Sequence, residues 1–137
     1  MRSQLSAVGP LTFGVLQSRN RRPRMRGGLP AWRARRVTAY IDTRLAGRVS
    51  VAELARLTGL STGHFSRAFK QSFGVSARTF LRRRRVELAQ DMMLSTDLPL
   101  NEIAHRCGLC DQPHLSKMFR SVVGENPSAW RRARCDV

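Results

Sequence analysis

The sequence predicts an all-α fold in which two helix-turn-helix subdomains are joined by a long spacer helix, and three observations predict it. Apolar residues recur at helical spacing after residue 30, serines able to cap helices stand just before several of these runs, and the pattern of residues 50–74 returns over 99–124. Caps and period mark where helices start and which face they bury. A pattern that returns at a fixed distance marks two copies of one supersecondary unit.

From Met1 to about Leu29 the chain carries Arg2, Arg19, Arg21, Arg22, Arg24 and Arg26 without an acid, and it is broken by Pro10, Pro23 and Gly27-Gly28. Such a segment reads as a disordered basic tail ahead of a folded domain spanning 30–137. An opening helix is expected to start near Pro30, a residue favoured at the first helical position. Trp32, Val37, Tyr40, Ile41 and Leu45 form its apolar stripe before Gly47 ends it.

The next helix opens on Ser50-Val51-Ala52-Glu53, a capping box in which the serine hydroxyl and the glutamate each satisfy an exposed backbone N–H. Leu54, Ala55 and Leu57 face inward, and Gly59 breaks the pattern. It resumes after Ser61 and runs to Gly74 with Phe65, Ala68, Phe69 and Phe73 on one side. Two short helices joined by a glycine-containing turn form a helix-turn-helix at about 50–74.

A longer helix, capped by Ser76 and spanning about 77–95, places Val86, Ala89, Met92 and Met93 on one face. At 1.5 Å per residue it reaches roughly 28 Å, a rigid spacer. Glu53, Ala55, Gly59 and Leu60 then recur 49 positions later as Glu102, Ala104, Gly108 and Leu109. Past one inserted residue, His64, Ser66, Phe69 and Gly74 recur as His114, Ser116, Phe119 and Gly124, and Phe80 and Arg82 are answered by Trp130 and Arg132. A second helix-turn-helix at about 99–124 and a closing helix at about 127–134 follow.

Composition narrows the partner. The 137 residues include 25 Lys and Arg against 9 acids, a formal net charge of +16, which points to a polyanion. Charge alone fits DNA, RNA or a membrane surface. No stretch approaches eighteen consecutive apolar residues, and no compact apolar core with a small-residue cleavage site opens the chain, so no membrane partner and no export are expected. Cys107, Cys110 and Cys135 are odd in number and crowded toward one end, unlike a secreted disulfide framework; a reducing cytoplasm fits them.

From about Val37 to Arg132 the chain resembles the DNA-binding domain of the AraC/XylS transcription regulators. The similar elements are Glu-Leu-Ala-Arg-Leu-Thr-Gly-Leu-Ser in the first unit and Glu-Ile-Ala-His-Arg-Cys-Gly-Leu-Cys-Asp-Gln-Pro-His-Leu in the second, closed by Gly-Glu-Asn-Pro-Ser-Ala-Trp-Arg-Arg at 124–132. The resemblance implies about seven helices, with two recognition helices one DNA turn apart entering successive major grooves of double-stranded DNA. It further implies bacterial transcription regulation in the cytoplasm, at the nucleoid, with RNA polymerase as the expected protein partner. Most members carry a larger effector-binding or dimerisation domain ahead of this one. No such domain is expected here, the basic tail being no substitute for one, and the chain reads as a stand-alone member or a shortened gene product.

On the first recognition helix, Gly63, Ser66, Arg67 and Lys70 lie opposite the phenylalanines. Arg67 is the leading candidate for base readout, because its planar fork can donate two hydrogen bonds to a guanine edge. Ser66 either reads or positions. Ser61, Thr62, Gly63, Lys70 and Arg120 are assigned to phosphate contact or positioning. By resemblance, Gly63 falls where the family's helix often presents a large side chain, so this unit gives up one contact. On the second helix, Leu115, Met118, Phe119, Val122 and Val123 face inward, and Gln112, Ser116 and Lys117 are base-reading candidates. Gln112 can pair with adenine, and Lys117, which matches Arg67, offers a point charge without a fork. Pro113 is tolerable in the first helical turn and offers no polar group to a base.

Other motifs carry less. The run Arg82 to Arg85 spreads over about 300° of a helix and cannot form one face; Glu87 is placed to pair with Arg83 at the favourable spacing. His64 and His114 fit packing or phosphate contact better than catalysis or metal binding. The spacing Cys107-x-x-Cys110 with His105 and His114 nearby suits zinc or a redox pair, nearby arginines being able to lower a thiol pKa, but Cys107 falls at a helix end and Cys110 in a turn, short of a tetrahedral four-ligand set. No metal, no cofactor and no catalytic constellation are expected. The rival readings are a general basic nucleic-acid binder, against which the matched repeat argues, and a metal- or thiol-dependent interaction module. Nothing in the sequence fixes an oligomeric state, and two units on one chain are compatible with binding as a monomer.

Overall fold

Seven helices and no strand make up residues 27–135, the part of the chain that the computed structural model describes. The helices are α1 (Ala31–Thr43), α2 (Val51–Thr58), α3 (Thr62–Phe73), α4 (Ala77–Ser95), α5 (Leu100–Arg106), α6 (Gln112–Val123) and α7 (Pro127–Cys135). Residues 1–26, which hold the six arginines of the basic tail, lie outside the described residues.

Helix starts follow local chemistry. Ser50 accepts from the Glu53 N–H at 3.1 Å while Glu53 accepts from the Ser50 N–H at 3.0 Å, closing the capping box of α2. Ser76 caps α4 through the Thr79 N–H. Each such cap removes one of the unpaired donors of a helix start. Helix ends use the left-handed conformation that glycine tolerates: Gly59 and Gly74 close α2 and α3 at φ 76° and 82°.

The opening helix starts next to Pro30, as expected, but stops before Gly47. Pro30 is the residue before the helix, with ψ 154°, and Ala31 is the first helical residue. Trp32 is not in the core: it is 53% exposed, with the Arg33 guanidinium 5.0 Å from its ring centre, and Ala34 takes the buried place instead. The helix stops at Thr43, so Leu45 packs from the turn that follows. Leu29, read from sequence as the end of the tail, is 5% exposed and belongs to the core, its N–H donating to the Ser72 hydroxyl at 2.6 Å.

Two cores divide the chain. The first gathers Val37, Ile41, Leu54, Phe65, Phe69, Phe73 and Phe80. Four of its phenylalanines form a chain of contacts, Phe69 stacking on Phe73 at 4.3 Å and meeting Phe80 edge-on at 5.4 Å. The second gathers Val86, Ala89, Met93, Ile103, Leu115, Phe119 and Trp130, with Phe119 edge-on to Trp130 at 5.6 Å. Helix α4 is the wall common to both: Ala77 and Phe80 belong to the first core, Val86, Ala89 and Met93 to the second. A change of core inside one continuous helix places both helix-turn-helix units on a single element.

The arginine run of α4 lies where the cores meet. Arg84 reaches back to Asp42 of α1 at 2.9 Å and also pairs with Glu87, so Glu87 serves Arg84 and not Arg83 as the spacing alone suggests. Arg85 donates to the carbonyls of Leu45 at 3.2 Å and Gly47 at 2.7 Å. Arg83 is left exposed.

Candidate nucleic-acid interface

The second helix of each unit, α3 and α6, begins on a side-chain cap. Ser61 accepts from the His64 N–H at 3.2 Å, and Asp111, at the matching position, accepts from the His114 N–H at 2.9 Å. Pro113 occupies the first turn of α6, where a missing N–H costs nothing. From these capped starts α3 and α6 each run for twelve residues with one buried face.

Burial orders the sequence candidates. In α3, Phe65, Ala68, Phe69 and Phe73 are buried while Thr62, Gly63, Ser66, Arg67 and Lys70 are exposed, with Ser61 exposed just ahead of them. In α6, Leu115 and Phe119 are buried, Met118, Val122 and Val123 are half-buried, and Gln112, Lys117 and Arg120 are exposed. Ser116 is half-buried, less open than its counterpart Ser66. Among the described residues no ion pair engages Arg67, Lys70, Lys117 or Arg120. Arg67 lies back over Gly63: a β-carbon placed on Gly63 would sit 3.6 Å from the Arg67 Nη1. That is ordinary van der Waals contact, so a side chain at position 63 would lie alongside the arginine.

The histidines and cysteines differ in burial and in partners. His64 is exposed and does not pack into the core. His114 is also exposed, and its Nδ1 accepts from the Cys110 N–H at 3.3 Å, which ties the turn to the start of α6. Cys107 is fully buried at the end of α5; burial pushes its thiol up to about 11, and nearby Arg85 pulls the other way without prevailing. The expectation that neighbouring arginines lower a thiol pKa fails here, because desolvation of a thiolate outweighs one half-solvated cation. Cys110 is exposed, and among the described residues no group of three or more His, Cys, Asp or Glu side chains is placed to hold a metal ion. No described helix is long and apolar enough to cross a membrane.

Sequence reasoning missed three side chains. Asp111 caps α6, a role the 50-residue offset from Ser61 would have disclosed. Arg85 and Arg131 bind backbone carbonyls 33 to 40 positions away in the chain, which no local rule detects.

Two capped helices with outward cations, each the second helix of a helix-turn-helix and both carried on one spacer, define a bipartite DNA-binding domain by class. A family model described as a helix-turn-helix domain matches residues 54–133, and the chain belongs to that family, the AraC/XylS-type transcription regulators. The HTH-type transcriptional activator RhaS of Enterobacter sp. (strain 638) is 32% identical over 134 residues, 96% of this chain and 48% of its own length. The arabinose operon regulatory protein of Escherichia coli (strain K12) is 29% identical over 105 residues, 76% of this chain and 36% of its own. The chain therefore spans less than half the length of either relative. Among solved structures, the C-terminal domain of AraT, a response regulator from Geobacillus stearothermophilus, superposes with a TM-score of 0.70 at 33% identity, covering 74% of this chain and 85% of that one. The DNA-binding domain of AdpA, solved in complex with a target DNA, gives 0.68 at 30% identity, covering 74% and 94%.

Proposed function

We propose that this chain binds double-stranded DNA sequence-specifically through α3 and α6 in successive major grooves, and regulates transcription from a site beside a promoter. The observation that carries the reading is the matched pair of free cations on two capped helices, Arg67 with Lys70 and Lys117 with Arg120, on one continuous scaffold. Arg67 donates its fork to a base edge, helped by Ser66, while Gln112, Ser116 and Lys117 read the second half-site. Ser61, Thr62, Gly63, Lys70 and Arg120 hold the phosphates or set the helices against them. Lysine replaces the guanidinium fork in the second unit, so the first half-site is the sharper one.

Both recognition helices are on one chain, so a monomer suffices and the site has no reason to be palindromic. RNA polymerase is the protein partner that regulation at a promoter requires, and the bacterial nucleoid is where the chain works. Selection of duplexes from a random pool, followed by footprinting, tests the reading. The expected result is a site of about 20 bp without two-fold symmetry and two protected major-groove segments about 10 bp apart. A palindromic site, protection of one groove, or equal binding of all duplexes or of RNA defeats it.

A further inference from the structure

We propose that Arg85, the loop 45–47 and Gly108 form a joint between the two helix-turn-helix units, and that this joint sets the orientation of α3 relative to α6. Both units pack on α4 through their own cores, and beyond that shared helix the α5–α6 unit also touches the first unit directly. What it touches is the turn after α1. A β-carbon placed on Gly108 would collide with the Leu45 carbonyl oxygen and would lie 3.3 Å from the Ala46 carbonyl carbon and 3.2 Å from the Arg85 Nη2. Backbone of the second unit therefore lies directly against backbone of the first.

Arg85 locks this approach. Its Nε donates to the Leu45 carbonyl and its Nη2 to the Gly47 carbonyl, so one planar fork holds both ends of the loop against α4. Each side of the contact is rooted in a different core. Leu45 is 6% exposed in the first core, and Cys107, next to Gly108, is 0% exposed in the second. Neither surface can slide without disturbing its own core.

The repeat supplies an internal control. Gly59 is the counterpart of Gly108, ends the first helix of its unit in the same way and has nearly the same φ, 76° against 80°, yet nothing lies within 4 Å of a β-carbon placed on it. Alanine at either position meets the same left-handed strain. At Gly108 alone it must also push the two units apart.

Two readouts test the joint. In a Cys110→Ser, Cys135→Ser background, nitroxides at Lys70→Cys and Arg120→Cys report the α3–α6 separation in the DNA-free protein by pulsed electron–electron resonance. The expected result is a narrow distance distribution for the parent and for Gly59→Ala, and a broadened or displaced one for Gly108→Ala and Arg85→Ala. Distributions that superimpose on the parent's in both joint variants overturn the proposal. Arg85→Ala removes a side chain without adding strain, so it keeps the test decisive should Gly108→Ala fail to fold.

The second readout rests on the two-groove reading above and uses the unlabelled protein on selected duplexes with one base pair inserted or deleted between half-sites. Each such step moves the second half-site by about 3.4 Å and turns it by about 35°. The parent and Gly59→Ala are expected to lose about tenfold or more in affinity per step, and the joint variants about threefold or less, because a loosened hinge follows the displaced groove. Joint variants as spacing-sensitive as the parent overturn the role on DNA. A parent indifferent to spacing defeats the two-groove reading, while the distance measurement still judges the joint.

Discussion

Replacing Arg131 with alanine should destabilise the domain more than any other change to an exposed or half-exposed arginine of α7. The guanidinium crosses from α7 to the end of α4 and donates to three carbonyls: Met93 at 3.1 Å, Leu98 at 2.8 Å and Thr96 at 2.7 Å. These are the orphan acceptors of a helix C-terminus and of the linker that follows it. A hydrogen bond from a charged donor contributes about 1.5–3 kcal/mol. The site is half-exposed and water replaces part of what is lost, so the expected cost of Arg131→Ala is about 2–4 kcal/mol instead of the full sum of three bonds. Arg131→Lys should recover less than half, since one ammonium cannot span three acceptors reached by Nε, Nη1 and Nη2. Urea denaturation followed by far-UV circular dichroism measures both, with the exposed Arg132→Ala expected within about 0.5 kcal/mol of the parent. A loss under about 0.5 kcal/mol for Arg131→Ala, or full recovery with lysine, rules out the three-carbonyl bridge as a source of stability.

Two further outcomes follow from the interface and the buried thiol. Arg67→Ala should cost about 1–3 kcal/mol on the selected duplex and relax selection at one or two base pairs, whereas Arg83→Ala should weaken all duplexes slightly and flatten the salt dependence; titration at two salt concentrations separates them, and equal losses for Arg67→Ala on specific and random duplexes demote it to a phosphate contact. Cys107 has a folded pKa of about 11, raised by burial from an ordinary value of 9.0, so the unfolded chain gives up this proton first as pH rises. Its contribution is intact below pH 9 and is lost between pH 9 and 11, on the order of 2 kcal/mol. Urea midpoints at pH 8 and 10.5 should therefore differ less for Cys107→Ala than for the parent, and an equal pH dependence of the two removes the claim.

What sequence disclosed and what it hid divide by the range of the interactions. The caps Ser50, Ser61 and Ser76 and the span of α4 were legible because a cap and its helix lie within a few residues of one another. The two helix-turn-helix units were legible because the repeat compares the chain with itself. Trp32 misled because period alone assigns a face without knowing whether anything covers it; at the first turn of α1 the small Ala34 meets the core and the indole does not. Helical spacing pairs Glu87 with Arg83, but Glu87 meets Arg84, which also reaches Asp42, 42 positions away and beyond any local rule. The exposed candidates on α3 and α6 came from helical phase, which fixes outwardness well and contact partners not at all.

The same division bears on how the charge of +16 is to be read. Among the described arginines, Arg85 and Arg131 are committed to half-buried carbonyls, and Arg84 is shared between two carboxylates. Turning any of these to a phosphate would cost the contacts it now makes, only part of which water would replace. Arg106 pairs with Glu102 at 3.1 Å on an exposed surface, and Arg44 and Arg134 lie over Tyr40 and Trp130 at 4.8 and 4.3 Å. Contacts of that kind are weak and can be surrendered. Counterion release on DNA counts the cations that reach phosphate, not those the sequence contains. High arginine content in this domain therefore has two causes, since the guanidinium fork that suits a guanine edge or a phosphate is also the group best shaped to bind several carbonyls at once, and α4 and α7 use it for that purpose.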